Sequence, residues 1–345
     1  MANQPKIDIR TSPYIRQAPT VAEIMRNVVY ALLPLAAYAT YQFGISALAL
    51  MIITVLSCMA TEHLFCKLSN KKTTITDASA IITGLLLAMT LPPGFPLWMG
   101  AVAGFTAIAL GKTLFGGIGF NVFNPALVGR AFVQAAFPVS ITTWTPALTT
   151  DRFIEFIPSS LALPFMQPVD TAEWTAQVSI DGFSGATPLA LMKFQQVFTD
   201  SYDLFMGLTA GSTGETSSVL IIICGAYLVF KRMLDWRIPA AVIFGTIISA
   251  ECFYLLDPAQ YPSPAFMVFS GGLMFAAVFM ASDMVASPVT PVGIFVFGCL
   301  VGFLTVIIRL FGGLTEAVMY AILFGNAATP LIESYTQPHI YGRNK

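Results

Sequence analysis

Along this chain, apolar runs recur between clusters of Pro, Gly and charged residues. Ten stand out, at residues 24–42, 45–66, 77–92, 96–115, 124–140, 214–231, 238–256, 264–282, 291–309 and 313–332. A helix crossing the hydrocarbon core of a bilayer needs about 20 mostly apolar residues. The pattern therefore predicts ten membrane helices, of which the third, fifth and sixth are short or interrupted. Between the fifth and sixth runs the pattern lapses from Ser140 to Glu215. That interval contains Trp144, Trp174 and several Phe residues, and at about 75 residues it is too long and too apolar for a plain solvated linker.

The runs fall into two similar sets of five. "LPPGFPLWMGAVAGFTAIALGKTLFGG" ends at Gly117 and precedes "NPALVG", while "SPVTPVGIFVFGCLVGFLTVIIRLFGG" ends at Gly313 and precedes "GNAATP". An odd number of helices per copy inverts the second copy in the membrane, an arrangement that puts ligand sites at broken helices between repeats. The expected segments are a cytoplasmic tail (1–23), a first five-helix repeat (24–140), an outer segment (141–213), a second repeat (214–332) and a cytoplasmic tail (333–345).

Composition agrees with this class: 56% of residues are hydrophobic, 10% charged and the mean hydropathy is +0.75, against roughly 25% charged residues in soluble domains. Charge also predicts orientation. Lys6, Arg10, Arg16, Arg26, Lys67, Lys71, Lys72, Lys112, Arg130, Lys231, Arg232, Arg237, Arg343 and Lys345 fall on one side, leaving Arg152, Lys193 and Arg309 opposite. The positive-inside bias puts both termini in the cytoplasm and the acidic 141–213 segment outside. None of the five cysteines forms a CxxC, which argues against a self-contained iron–sulfur cluster. No metal site and no nucleic-acid partner is expected.

Three short stretches carry candidate chemistry. "SGAT", Ser184–Gly185–Ala186–Thr187, offers a hydroxyl on a backbone without bulk, which a large reagent could approach; an ordinary loop turn has the same letters. "GSTGETS" places Gly211, Ser212, Gly214 and Glu215 at the entrance of the sixth helix, where exposed N–H groups bind an anion or simply cap the helix. "NVFNPALVG" sets Asn121 and Asn124 three residues apart on one helical face, as hydrogen-bond partners for a polar ring or as caps around Pro125. Acids in or near spans are functional candidates by default: Glu62, Asp77, Glu251, Asp283 and Glu316, with Glu251 the one well inside its run.

The ordered set "SPYIR", "IMRNVVYALLP", "ASAIITGLLLAMTLPP", "LFGGIGFNVFNPALVGRAF", "DGFSGATPL", "GSTGETS" and "YTQPHIYG" spans essentially the whole chain. In it the chain resembles the D subunits of Rnf electron-transport complexes, which are similar to the B subunits of sodium-pumping NADH:quinone reductases; the short N-terminal extension favours the Rnf branch. The resemblance implies an all-α integral membrane fold of ten helices in two inverted five-helix repeats, similar to urea transporters. It implies FMN joined to Thr187 by a phosphoester, with Ser184, Gly185 and Ala186 as attachment motif, installed by a periplasmic flavin transferase. It also implies a noncovalent riboflavin toward the cytoplasm, for which Asn121 and Asn124 are the candidates, with Gly211, Ser212, Gly214 and Glu215 as candidate flavin surroundings. Function would lie in ferredoxin:NAD oxidoreduction coupled to Na+ or H+ movement in a bacterial inner membrane, together with other Rnf subunits and with no catalytic side chain of its own. The alternative is a channel or secondary transporter on the same inverted repeat.

Overall fold

The computed structural model describes residues 20–71, 73–166, 168, 174, 187–207, 211–215, 217–258 and 260–338. Among them all regular structure is helical. The first series comprises α1 (Val21–Phe43), α2 (Ile45–Leu68), α3 (Ser79–Thr90), α4 (Leu97–Ile108, continued by a π turn over Ala109–Thr113), α5 (Pro125–Ala136) and the short α6 (Pro138–Thr142). Two short helices follow, α7 (Pro188–Gln195) and α8 (Ser201–Met206). The last series is α9 (Ser218–Phe230), α10 (Arg237–Leu256), α11 (Pro264–Phe269), α12 (Leu273–Phe275, continued by a π turn over Ala276–Met280), α13 (Pro291–Phe311) and α14 (Val318–Thr336).

Four of these, α1, α2, α10 and α13, are long and apolar enough to cross a membrane. The chain is a multi-pass membrane protein. Large apolar side chains on them, such as Leu56, Phe244, Ile248 and Phe303, point out of the bundle, as lipid contact requires. Between helices the contacts rest on small residues, because lipid supplies no hydrophobic drive and close backbone approach must take its place. Gly104 lies against Thr54 and Ser57 of α2, and Gly298 and Gly302 of α13 lie against Ala241, Val242 and Thr246 of α10. The two series thus build similar pairs: α2 packs on α3 and α4, and α10 on α11 and α13.

Hydrogen bonds mark the two ends of the bundle. At the proximal end, where α1 begins, Tyr227 at the end of α9 donates to Asn27 (2.9 Å), and Thr290 and Thr336 are bonded (2.6 Å). At the distal end Gln42 donates to the Gly207 carbonyl (2.8 Å). There Gly44, at φ 72°, reverses the chain between α1 and α2 directly against the Arg152 backbone, where a Cβ would collide. Only glycine suits that turn.

Some expectations need correction. The run 264–282 is not one helix: it breaks at Ser270–Gly271–Gly272. The run 124–140 ends at Ala136, and Pro138 starts a separate turn. Three bases used as side markers are interior: Lys112, Arg130 and Arg309 are buried among helices. Once they are removed, only Arg152 and Lys193 among the described bases lie at the distal end. Glu251 faces outward from α10, whereas Glu62 and Glu316 are buried. The segment after α6, too apolar in sequence for a solvated linker, buries Trp144, Ile157, Leu189, Met192 and Leu204 in its described parts.

Candidate functional site

Thr187 begins α7. Its Oγ1 accepts the Ala190 N–H (3.3 Å), Pro188 occupies the first helical position, and the residue is 2% exposed. This is an N-cap, in which a side-chain oxygen satisfies a helix-start amide. The cap uses the hydroxyl as an acceptor, and its hydrogen donates to none of the described residues. An ester oxygen at this position could still accept. Ser184, Gly185 and Ala186 lie outside the described residues.

Three contacts fix α7 at the distal end. Lys193 donates to the Arg309 carbonyl (3.1 Å) and to the Gly312 carbonyl, closing the end of α13. Leu189 packs with Met192, Leu204, Phe266, Met267 and Val306. Leu189 also rests on Gly271, whose φ of +60° and lack of a side chain make room for it. The α7 helix therefore sits directly on the break between α11 and α12.

Broken helices in a membrane leave carbonyls that must find donors inside the protein. For α3, Gly214 N–H donates to the Met89 carbonyl (2.7 Å), Thr213 N–H to Leu91 (3.2 Å), Thr213 Oγ1 to Ala88 and Leu91, and Arg130 to Thr90. For α11, the Arg309 guanidinium donates to the carbonyls of Met267 (2.6 Å) and Ser270 (3.0 Å). In "GSTGETS" the amides of Ser212, Thr213, Gly214 and Glu215 are thereby committed. Thr213 and Gly214 close α3, Ser217 caps α9, and the Ser212 N–H donates to Glu215 (3.4 Å). Glu215 lies against Gly272 and Gly211. Of the two readings of this stretch, capping is the one its hydrogen bonds express.

A cavity of about 320 Å³ opens beside α7, lined by Arg130 and Gln134 of α5, Trp144, Ala190 and Phe194, and Glu316. Arg130 Nη2 lies 3.9 Å from Glu316. Sequence alone marks Arg130 only as a charge and passes over Gln134. The available signal is an Arg and a Gln four residues apart inside an apolar run.

A second cavity, about 140 Å³, lies at the proximal end, among Ser79, Thr83, Lys112, Asn121, Asn124, Ser282 and Asp283 with an apolar wall that includes Met25, Met233 and Met284. Asn121 and Asn124 do meet there, but not on one helical face, because α5 starts only at Pro125. Their roles separate. Asn124 Oδ1 caps Ala126 (3.0 Å) and its Nδ2 donates to Met280 (3.2 Å), so both ends of its amide have a partner within the protein. Asn121 Nδ2 donates to Phe123 (3.2 Å) and Asp283 (3.3 Å), leaving its Oδ1 open among the described residues. Burial raises the Asp283 carboxyl above its ordinary range, against the Val285 N–H and the Asn121 amide, which favour the charged form. Beside this cavity Lys112 donates to Glu62 (2.7 Å) and Ser79 (2.7 Å), and Thr74 also donates to Glu62.

Comparison with known sequences bears on the whole chain. The profile of the NQR2, RnfD, RnfE family matches residues 8–342. The D subunit of the Na(+)-translocating ferredoxin:NAD(+) oxidoreductase complex of Acetobacterium woodii is 40% identical over 349 residues, covering 99% of this chain and 98% of that protein. The D subunit of the proton-translocating ferredoxin:NAD(+) oxidoreductase complex of Clostridium ljungdahlii is 37% identical over 347 residues (98% and 96%). The D subunit of the ion-translocating oxidoreductase complex of Halorhodospira halophila is 34% identical over 354 residues (98% and 96%). With a family profile and full-length relatives agreeing over a bundle of interrupted helices, this chain belongs to the NQR2, RnfD, RnfE family.

Proposed function

We propose that the chain is the D subunit of an Rnf-type ferredoxin:NAD oxidoreductase in a bacterial inner membrane, carrying FMN in phosphoester linkage on Thr187. The observation that carries this is the setting of Thr187: a hydroxyl whose hydrogen has no described acceptor, at a helix start favourable to phosphate, on α7 beside a cavity whose lining includes Arg130, Gln134 and Glu316. In attachment by a flavin transferase, Thr187 Oγ1 gives up its hydrogen and takes the place of AMP on the FMN phosphorus of FAD. Bound flavin supplies the electron chemistry, and the protein supplies position and electrostatics. In-gel fluorescence after denaturing electrophoresis of the purified complex tests the reading. A flavin band at this subunit's mass supports it, and a dark band favours the transporter alternative.

The packing supports two inverted repeats, α1–α5 and α9–α14, with α7 and α8 between them and ten crossings in all. The proximal end then faces the cytoplasm with both termini. Reporter fusions after Lys71 and after Arg237 should read cytoplasmic, and one at Tyr202 should read external; the reverse pattern would overturn the orientation and deny the transferase its substrate. Relatives named for Na+ and for H+ are similarly identical to this chain, so overall similarity leaves both ions open.

A noncovalent flavin at the proximal end would be held by the open Oδ1 of Asn121, an acceptor for a ring N–H, and the cavity there, about 140 Å³, would have to widen to admit the ring. Its Met-rich wall can adjust to a ring. Asn121→Leu should lower acid-extractable flavin while covalent flavin stays. Asn124→Leu should instead cost the α5 cap, about 0.5–2 kcal/mol. Extractable flavin unchanged in Asn121→Leu would place that site elsewhere.

A further inference from the structure

We infer that the outward face of α10 around Glu251 docks a membrane helix of another subunit, one that brings an Arg or Lys to the Glu251 carboxylate. The inference rests on the reading above of this chain as one subunit of a membrane complex. It goes beyond that reading by assigning a contact surface and the chemistry of the partner.

Glu251 is exposed, and it takes part in no hydrogen bond or ion pair with the described residues. Its neighbours on the same stripe are apolar and also outward: Phe244, Ile247, Ile248 and Leu255, at i−7, i−4, i−3 and i+4. Depth makes the acid unusual. With 20 residues from Arg237 to Leu256, α10 is about 30 Å long, the thickness of a hydrocarbon core. Glu251 stands five residues before its end, about 7 Å inside.

Helical side chains lean toward the helix N-terminus. Because α10 starts at the proximal end, the Glu251 carboxylate leans further into the membrane and away from the distal surface. Arg26 on α1 is the opposite case. It stands five residues after the start of its helix, and its Nε reaches back to the Ala22 carbonyl, one turn nearer the proximal end (3.2 Å). Its long stem carries the charge to the surface. Glu251 has neither that direction nor that length.

A carboxylate at such a place in lipid is costly, and acids within membrane helices are normally paired. The first series of helices shows how one is satisfied. Glu62 stands six residues before the end of α2, and Lys112 of the same chain donates to it at 2.7 Å. Around Glu251 the chain supplies no such base. Arg237 lies at the far end of α10, and Arg309, the one base of α13, is buried and donates to Met267 and Ser270.

The cation then comes from outside the chain. A second copy docked on the same face, about a two-fold axis along the membrane normal, would set Glu251 against Glu251 at one depth. A lipid amine sits at headgroup level, on the side from which the carboxylate leans away. Charge complementarity therefore selects a helix of another subunit with Arg or Lys in its distal third. That helix takes the place of lipid along the stripe from Phe244 to Leu255.

The test uses the complex purified through a tag on this chain, carrying Glu251→Leu or Glu251→Lys, with Phe303→Leu on the outward face of α13 as control. The quantity read is the molar ratio of each other membrane subunit to this chain. Both Glu251 variants should insert in wild-type amounts yet lower the ratio for one subunit. The loss should be greater in Glu251→Lys, about tenfold, because like charges are costly across an interface; Phe303→Leu should match wild type. A photo-crosslinker in place of Leu255, activated in intact membranes, should join this chain to a helix containing Arg or Lys. Exchanging that base for Glu should restore the ratio in Glu251→Lys. If Glu251→Lys fails to insert, Glu251→Leu, which only adds apolar surface within the membrane, decides by the same ratio. Wild-type ratios in the Glu251 variants, a crosslink to lipid alone, or a captured helix without a base would overturn the docking face. A wild-type chain that purifies with no other subunit would overturn the complex reading instead.

Discussion

Thr187→Ala is expected to yield an inserted, folded subunit with no denaturation-resistant flavin. The substitution removes the oxygen that would carry the phosphoester. Its structural cost is that of an N-cap, about 0.5–2 kcal/mol. That is small beside the anchoring of α7 through Lys193 on the end of α13 and Leu189 in its apolar cluster. Ferredoxin-linked NAD reduction by the complex should fall to background, because a carrier is missing. Thr187→Ser keeps a hydroxyl and the cap, and should keep part of the covalent flavin. If Thr187→Ala stays fluorescent on a denaturing gel, the hydroxyl assignment is wrong; if Thr187→Ala fails to insert, Thr187→Ser decides through its flavin content.

The second large effect is expected at the proximal end. Lys112→Met leaves Glu62, which is buried, without its cation, and removing one member of a buried ion pair costs about 3–5 kcal/mol. Lys112 joins α2 to α3 through Glu62 and Ser79 and lines the proximal cavity, so its loss should lower thermal stability in detergent and reduce extractable flavin together. Adding Glu62→Gln to Lys112→Met should recover much of the stability, since no bare charge then remains. A double variant no more stable than the single one would mean that the pair acts by some route other than charge compensation.

Apolar runs alone locate the start or end of most helices within a few residues, because a lipid-facing helix must be apolar over most of its surface. Interruptions are harder to read. Ser270–Gly271–Gly272 is a three-residue break within apolar sequence, too short for a hydropathy window to register. Its reason is tertiary, since Leu189, Glu215 and Arg309 all need space or carbonyls there. Buried charges mislead for a related cause. Lys112 finds Glu62 fifty residues away, and Arg130 finds Thr90 forty residues away, and a linear pattern holds neither partnership. Thr187 is legible as a candidate through its small neighbours and through the family resemblance, but its part as the N-cap of α7 and its place beside the Arg130–Glu316 cavity need the fold. The two amides of "NVFNPALVG" look equivalent in sequence. Only the Met280 carbonyl, brought in from the other series of helices, distinguishes the engaged Asn124 from the open Asn121.

The most direct measurement is mass mapping of the tryptic peptide between Arg152 and Lys193, which contains Ser184 and Thr187 and no internal Lys or Arg. The account predicts that this peptide carries the mass of FMN less one water, with fragment ions placing the addition on Thr187. An unmodified peptide from an active complex, or an addition on Ser184, would contradict it.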